Sequence, residues 1–355
     1  MSARLQRLRA ELPAHGLDGV IISKPENRRY FSGFTGSAGM LWISGCDAKL
    51  LTDFRYIEQA TAQAPGYEIR RHGSSIYAAL DEVIKTGKHV RVGFESDAVT
   101  VDIFQQLCKS VPDVQFTSLK LDHLRQQKDE AELACIREAV RIADKAFTQV
   151  LTYIHSGMRE YDVAVELEYI MRKLGSEKPA FDTIVASGKR GALPHGQPSD
   201  KVLSAGDMIT MDFGAVYQGY HSDMTRTVVL GKASARQKEI YETVLAAQLT
   251  GVASVRPGRS GKEVDAQSRR VIEQAGFGDY FGHGLGHSVG LVIHEEPRLS
   301  PYSESILREN TVVTVEPGIY IPDWGGVRIE DMVVVTPAGC EILTASSKQL
   351  IELDV

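Results

Sequence analysis

Four acidic residues stand in segments that otherwise read as buried strand: Asp212 and Asp223 in "MDFGAVYQGYHSDMTRT" (211–227), Glu316 in "VEPGIY" (315–320) and Glu330 in "VRIEDM" (327–332). A buried carboxylate is costly unless it is neutralised, paired or bound to a cation. Four of them converging would repel one another and could not all ionise. A divalent metal resolves the conflict, and four carboxylates with one imidazole are enough to hold two metals, some carboxylates bridging them.

The imidazole lies in "FGHGLGHSVGLVIHEEPR" (281–298), where His283, His287 and His294 fall within twelve residues among glycines that let backbone approach a crowded centre. His287, between Gly286 and Gly290, is the expected ligand. His283 and His294 are then placed to polarise a carbonyl and stabilise an oxyanion. Each residue taken singly has a plainer reading: Asp-x-Gly and Glu-Pro-Gly are common turn chemistry, and His294 with Glu295 and Glu296 would make an ordinary exposed polar cluster. His195, in the loop "GALPHGQPSD" (191–200), would by itself be a surface histidine. The co-occurrence of paired acids and a Gly-His segment favours the metal reading.

The elements that must position these residues follow from periodicity. The acids belong to an internal echo: "GDMITMDFG" (206–214) resembles "NTVVTVEPG" (310–318), each followed by a turn and a second acid-bearing strand, "SDMTRTVVL" and "IEDMVVV". With a period of two, Thr210 and Asp212 share one face, as do Thr314 and Glu316. The echo predicts two related hairpins, each presenting two carboxylates to a common interior. Around them, helices are expected over about 130–154 and 159–174, with Gly175 as C-cap, and after the capping boxes Ser234…Gln237 and Ser260…Glu263. This part reads as α+β. The first third alternates short helices, near 75–86 and 100–110, with the strands "GVIIS", "GMLWIS", "AKLLTD", "YEIRR" and "RVGFE", an α/β pattern. The boundary is expected near Gln127, giving domains 1–126 and 127–355.

Bulk properties narrow the function class. A chain of 355 residues suggests two domains, and 43% apolar with 24% charged residues supports a real core. A net charge of −6 supplies no general attraction for nucleic acid or an anionic membrane. Cys46, Cys108, Cys135 and Cys340 are scattered without a CxxC pair, which argues against a zinc ribbon or disulfide framework and fits a reducing cytosol. The N-terminal stretch lacks a signal-peptide core, and no run approaches the roughly 20 apolar residues of a membrane span. A cytoplasmic protein without membrane or nucleic-acid partners is expected.

"DFG…SDMTRT", "GHGLGHSVGL…HEEP", "VEPGIY" and "VRIEDM" resemble, in order, the metal-binding segments of the metallopeptidase family that includes methionine aminopeptidase, aminopeptidase P and prolidase. "NRRYFSGFTGS" (27–37) is similar to the N-terminal domain of that family's creatinase, prolidase and aminopeptidase P branch, which methionine aminopeptidases lack. The resemblance implies an α/β N-terminal creatinase/prolidase-like domain followed by an α+β pita-bread catalytic domain. It implies Asp212 chelating one metal, Asp223 and Glu330 bridging, His287 completing one shell, and Glu316 both contacting metal and accepting a proton from the attacking water. His283 and His294 match histidines that bind substrate, His195 a histidine near the substrate, and Arg328 an arginine beside the metal carboxylates.

The implied activity is metal-dependent hydrolysis of the N-terminal bond of Xaa-Pro peptides or dipeptides. Two divalent ions would serve it: oxygen-rich ligation with one histidine suits Mn²⁺, and Co²⁺, Zn²⁺ or Fe²⁺ would also bind. A homodimer acting on short peptides is expected from the same resemblance. The alternatives are a broader aminopeptidase that also removes Met, a creatinase-like hydrolase, or a binding module.

Overall fold

The computed structural model describes residues 3–355. It divides into two compact units, Met1–Arg125 and Gln126–Val355.

The first unit contains helices α1 (Ala3–Ala14), α2 (Pro25–Ser32), α3 (Ile57–Gln63), α4 (Ile76–Thr86) and α5 (Val101–Ser110). Its strands β1 (Gly19–Ile22), β2 (Met40–Ser44), β3 (Ala48–Thr52), β4 (Glu68–Arg71), β5 (Arg91–Glu95) and β6 (Gln115–Leu119) form one sheet in the order β4-β3-β2-β1-β5-β6. Ser75 and Thr100 cap α4 and α5 by accepting the N–H groups of Ala78 and Ile103. Their apolar stripes, Leu80, Ile84 and Leu107, pack with Ile21, Trp42 and Val92 of the sheet. Five strands lie where the sequence places them. β6 is an addition: as a mostly exposed edge strand it carries little of the apolar alternation by which strands are read.

The second unit runs twice through a helix pair followed by antiparallel strands. The first pass comprises α6 (Glu130–Val150), α7 (Glu160–Lys173), β7 (Ile184–Ser187), β8 (Met208–Phe213), the small ribbon β9 (Val216–Tyr217) and β10 (Tyr220–His221), and β11 (Met224–Leu230). The second comprises α8 (Ala235–Ser254), α9 (Gly261–Gln274), β12 (Gly286–Ser288), β13 (Glu295–Leu299), β14 (Val312–Val315), the ribbon β15 (Gly318–Ile321) and β16 (Gly325–Arg328), and β17 (Asp331–Thr336), closed by β18 (Gly339–Ile342). A last strand, β19 (Glu352–Leu353), returns beside β11 in the sheet β19-β11-β8-β7, while the second sheet is β13-β12-β14-β17-β18.

The echo between 206–214 and 310–318 is therefore structural. β8 pairs antiparallel with β11, β14 with β17, and each pair is interrupted by a two-stranded ribbon. The capping boxes of α8 and α9 form as expected, and α6 gains another from Asp129 and Glu132. α6 stops at Val150, so the final residues of the expected 130–154 helix are turn. Each pass has its own core. Ile142, Leu167, Met211 and Val228 belong to the first, and Val244, Val264, Val313 and Val333 to the second. At ~1.5–3 kcal/mol for each large apolar side chain removed from water, these cores fix the helices on the sheets and the strand ends against one another.

Candidate metal centre

All four acids sit at or just beyond strand ends. Asp212 is within β8, opposite Thr225 of β11, and Asp223 immediately precedes β11. Val315 pairs with Asp331, so Glu316 and Glu330 stand one residue past the last pair of β14 and β17. The strands give them fixed origins, and the breaks in pairing let their carboxylates turn inward. His287 comes from β12, where a register shift follows it in the pairing with β13. A Cβ on Gly286 would lie 2.1 Å from the Thr314 carbonyl oxygen, so glycine alone lets β12 approach β14 this closely.

Asp212, Asp223 and Glu330 each offer an oxygen, and these atoms lie within 4.8 Å of one another. Asp223 and Glu330 are almost fully buried. Asp212 Oδ2 accepts a 2.6 Å bond from Arg328 Nη2, and Glu330 Oε2 a 2.7 Å bond from the Thr225 hydroxyl. The other oxygens, Asp212 Oδ1 and Glu330 Oε1, are buried with no hydrogen-bond partner. Burial, reinforced by the neighbouring carboxylates, drives Asp223 and Glu330 well above the usual carboxylate range. Burial also pushes Glu316 up to about 7, against the pull of Arg328.

His287 Nε2 lies 3.3 Å from Glu316 Oε1 and 3.5 Å from Asp223 Oδ2. Its Nδ1 is 3.1 Å from the Ser288 carbonyl, which can only accept, so the proton belongs on Nδ1. Burial, with His294 next in weight, lowers the imidazole to about 3 and keeps it neutral. The Nε2 lone pair of His287 therefore faces the carboxyl groups of Glu316 and Asp223. Unpartnered carboxylate oxygens and a nitrogen lone pair around one space are the donor set of a cation site. Two overlapping groups share Asp223: one with Asp212 and Glu330, the other with His287 and Glu316. The residues fit divalent metal.

A cavity of ≈ 640 Å³ opens onto this cluster and is lined by His195, His283, His294 and Arg328 as well as Asp212, Asp223, His287 and Glu316. His294 stacks edge-on against His287, ring centroids 4.4 Å apart. His283 Nδ1 donates to the Gly284 carbonyl, and its Nε2 is 2.9 Å from the Tyr320 hydroxyl. Burial lowers His283 to about 4. Arg328 also donates to Tyr320 Oη at 2.9 Å and to the Pro194 carbonyl at 3.1 Å.

Tyr320, Thr225 and Arg298 were not singled out from the sequence. Tyr320 ties Arg328 to His283. Thr225, directly opposite Asp212, is recoverable from the strand register. Arg298 pairs across from His287 and lines the cavity, and only the β12–β13 pairing brings it there. The two halves of the echo differ in one respect. Thr314 donates to Glu316 Oε1 at 3.0 Å, whereas Thr210 meets Thr227 rather than Asp212.

Residues 134–337 match metallopeptidase family M24, and residues 4–127 match the creatinase/prolidase N-terminal domain. The chain is 41% identical over 361 residues to a Xaa-Pro dipeptidase of Pyrococcus horikoshii, covering 99% of both chains. Among solved structures it resembles a Xaa-Pro dipeptidase from Bacillus anthracis, with TM-score 0.97, 45% identity and 99% of each chain covered. An X-Pro aminopeptidase from Thermotoga maritima is similar too, with TM-score 0.93, 39% identity, and 99% of this chain and 100% of that one covered.

Proposed function

Because the chain belongs to metallopeptidase family M24, we propose that it is an exopeptidase cleaving the N-terminal bond of Xaa-Pro substrates, with two divalent ions held by Asp212, Asp223, His287, Glu316 and Glu330. The observation that carries this reading is the pair of buried, unpartnered oxygens on Asp212 and Glu330, joined through Asp223 to the imidazole lone pair of His287. When bound, such ions lower the pKa of water and polarise the scissile carbonyl.

The protein's own groups do the rest. Glu316, held by Thr314, is the carboxylate of the cluster suited to take a proton and return it to the leaving nitrogen. Arg328 anchors Asp212 and the Pro194 backbone, joining an acid of the cluster to the His195 loop. His294 lines the space beside the cluster, where an imidazole N–H can stabilise negative charge on a substrate oxygen, and His195 lines it as a group that can hold the bound substrate. Phe181, Ile184 and Ile293 supply apolar walls that suit a proline ring, whose tertiary amide has no N–H to recognise.

Arg298 favours a dipeptidase. Its guanidinium lines the cavity, with Glu296 at 3.9 Å as a loose partner, and so can receive the carboxylate that a dipeptide alone presents close to the cleaved bond. Manganese fits the oxygen-rich, single-histidine donor set. A homodimer enters through the family resemblance and a cytoplasmic setting through the scattered cysteines, and the mass in solution tests the first. Among the described residues no helix is long and apolar enough to cross a membrane.

The deciding experiment compares rates on Ala-Pro and Ala-Pro-Ala with bound metal measured on the same sample. Ala-Pro is expected to be the faster substrate, chelation should abolish turnover, and Mn²⁺ or Co²⁺ should restore it. Turnover surviving complete metal removal overturns the two-metal reading, and preference for Ala-Pro-Ala overturns the dipeptidase assignment.

A further inference from the structure

His195 lines the cavity from an exposed loop, so its placement depends on what fixes that loop's ends. The loop leaves β7 after Ser187 and returns at Ser199. Both ends converge on one carboxylate. Glu160, the first residue of α7, is fully buried. Its Oε1 accepts the Ser187 N–H at 2.7 Å and the Ser187 hydroxyl at 2.9 Å. Its Oε2 accepts the Ser199 N–H at 3.1 Å, the Ser199 hydroxyl at 2.6 Å and Arg190 Nε at 2.9 Å.

The tie is reciprocal. Glu160 N–H donates to the Lys201 carbonyl and Tyr161 N–H to the Ser199 carbonyl, so the first turn of α7 grips the returning segment through backbone as well. Arg190 then spans the loop's interior, using Nη2 to reach the Gln197 carbonyl at 2.5 Å while its Nε stays on Glu160. Between them, Gly196 packs so closely that a Cβ would meet Ala186 Cβ at 2.8 Å, which seats the residue after His195 on β7. The far side of the loop is held by Arg328 at the Pro194 carbonyl.

A buried carboxylate with five donors, one of them cationic, is more than α7 needs, since Asp162 with Arg159 already caps that helix start. We propose that Glu160 is a positioning residue for substrate binding: it clamps both ends of the 187–199 loop and thereby sets where His195 stands in the cavity. This rests on the reading of the cavity as an Xaa-Pro site. Glu160 touches neither the acids nor the cavity, so it acts through the loop.

In Glu160→Gln, an amide N–H₂ must face N–H donors on one side, so one end of the clamp opens while the volume is kept. With Ala-Pro as substrate, KM is expected to rise about tenfold and kcat to change by less than about threefold. Bound metal per chain should not change. The same substitution in a His195→Ala background should add less than about twofold, because the group it positions is gone. Ser199→Ala, which removes a single donor, should shift KM in the same direction by a smaller factor. Histidine side-chain NMR gives a readout independent of turnover. The His195 signal, assigned by its loss in His195→Ala, should move or broaden in Glu160→Gln and Ser199→Ala while that of His123 stays in place.

Equal effects in both backgrounds, loss of metal, or an unmoved His195 signal would overturn the positioning role. Absence of wild-type turnover on Ala-Pro would instead overturn the substrate reading, with the NMR comparison still deciding whether Glu160 sets His195.

Discussion

Glu316 carries two duties that a single substitution separates. Its Oε1 accepts the Thr314 hydroxyl, whose oxygen in turn accepts the His287 N–H, so the carboxylate ends a short chain fixing β12 to β14. A glutamine keeps that acceptor through its carbonyl oxygen, and its amide can donate towards the His287 lone pair. Glu316→Gln should therefore fold with nearly unchanged stability while losing the group that takes up a proton. A fall in kcat of ~10²–10⁴ is expected, measured on Xaa-Pro dipeptides alongside a thermal melt. Near-normal rates would remove Glu316 from proton transfer. The sequence was informative at this scale wherever an acid broke an apolar, β-branched pattern, because burial makes such a residue expensive. It was silent on Tyr320 and Arg298. A tyrosine and an arginine beside strands look like ordinary edge residues until pairing shows what they face.

Between elements, the metal acids are held from behind by a second charged network. Arg226 on β11 donates to Asp331 Oδ1 at 2.8 Å and to the carbonyls of Glu330, Ser346 and Ser347, and it is almost fully buried. Asp331 also accepts from Gln248 of α8 at 3.0 Å and from Lys348 at 2.6 Å. Sheet, helix and C-terminal segment thus meet at one carboxylate beside Glu330. Replacing Arg226 with Met leaves Asp331 partly paired but strips a donor from the buried Glu330 carbonyl and from the carbonyls of Ser346 and Ser347. A destabilisation of about 3–5 kcal/mol is expected, seen as a lower denaturant midpoint at unchanged slope. A change below about 1 kcal/mol would mean that water replaces the guanidinium there. Little of this network was legible beforehand, since its hydrogen-bonded members lie from 17 to 121 positions apart on separate elements. The helices, by contrast, announced themselves through caps, which are local chemistry: Ser234 with Gln237 and Ser260 with Glu263 are each three residues apart.

For the whole molecule, the acid cluster couples cation binding to stability with a definite sign. Without metal, Asp223 and Glu330 titrate well above the ordinary carboxylate range and Glu316 at about 7, so the folded chain binds more protons than the unfolded one above pH ~4. Stability of the metal-free protein from these groups therefore falls as pH rises from about 4 towards 7 and beyond. The metal-loaded protein behaves oppositely, because donors must lose protons to bind and affinity grows with pH. The melting temperature with Mn²⁺ minus that with chelator should be larger at pH 8 than at pH 5, and differencing cancels groups common to both. A gap that is constant, or larger at pH 5, would show that the carboxylates are not the site of uptake.

The doubled arrangement of the second unit has one more consequence. Its first pass carries only Asp212 and Asp223, and its second only His287, Glu316 and Glu330, so neither pass owns a complete set of donors. During synthesis an ion finds no lasting berth until residue 330 has emerged and the two passes have closed on each other. Capture is thus a late event that reports completion, and an ion escaping under stress should be an early sign of the passes parting, ahead of general unravelling.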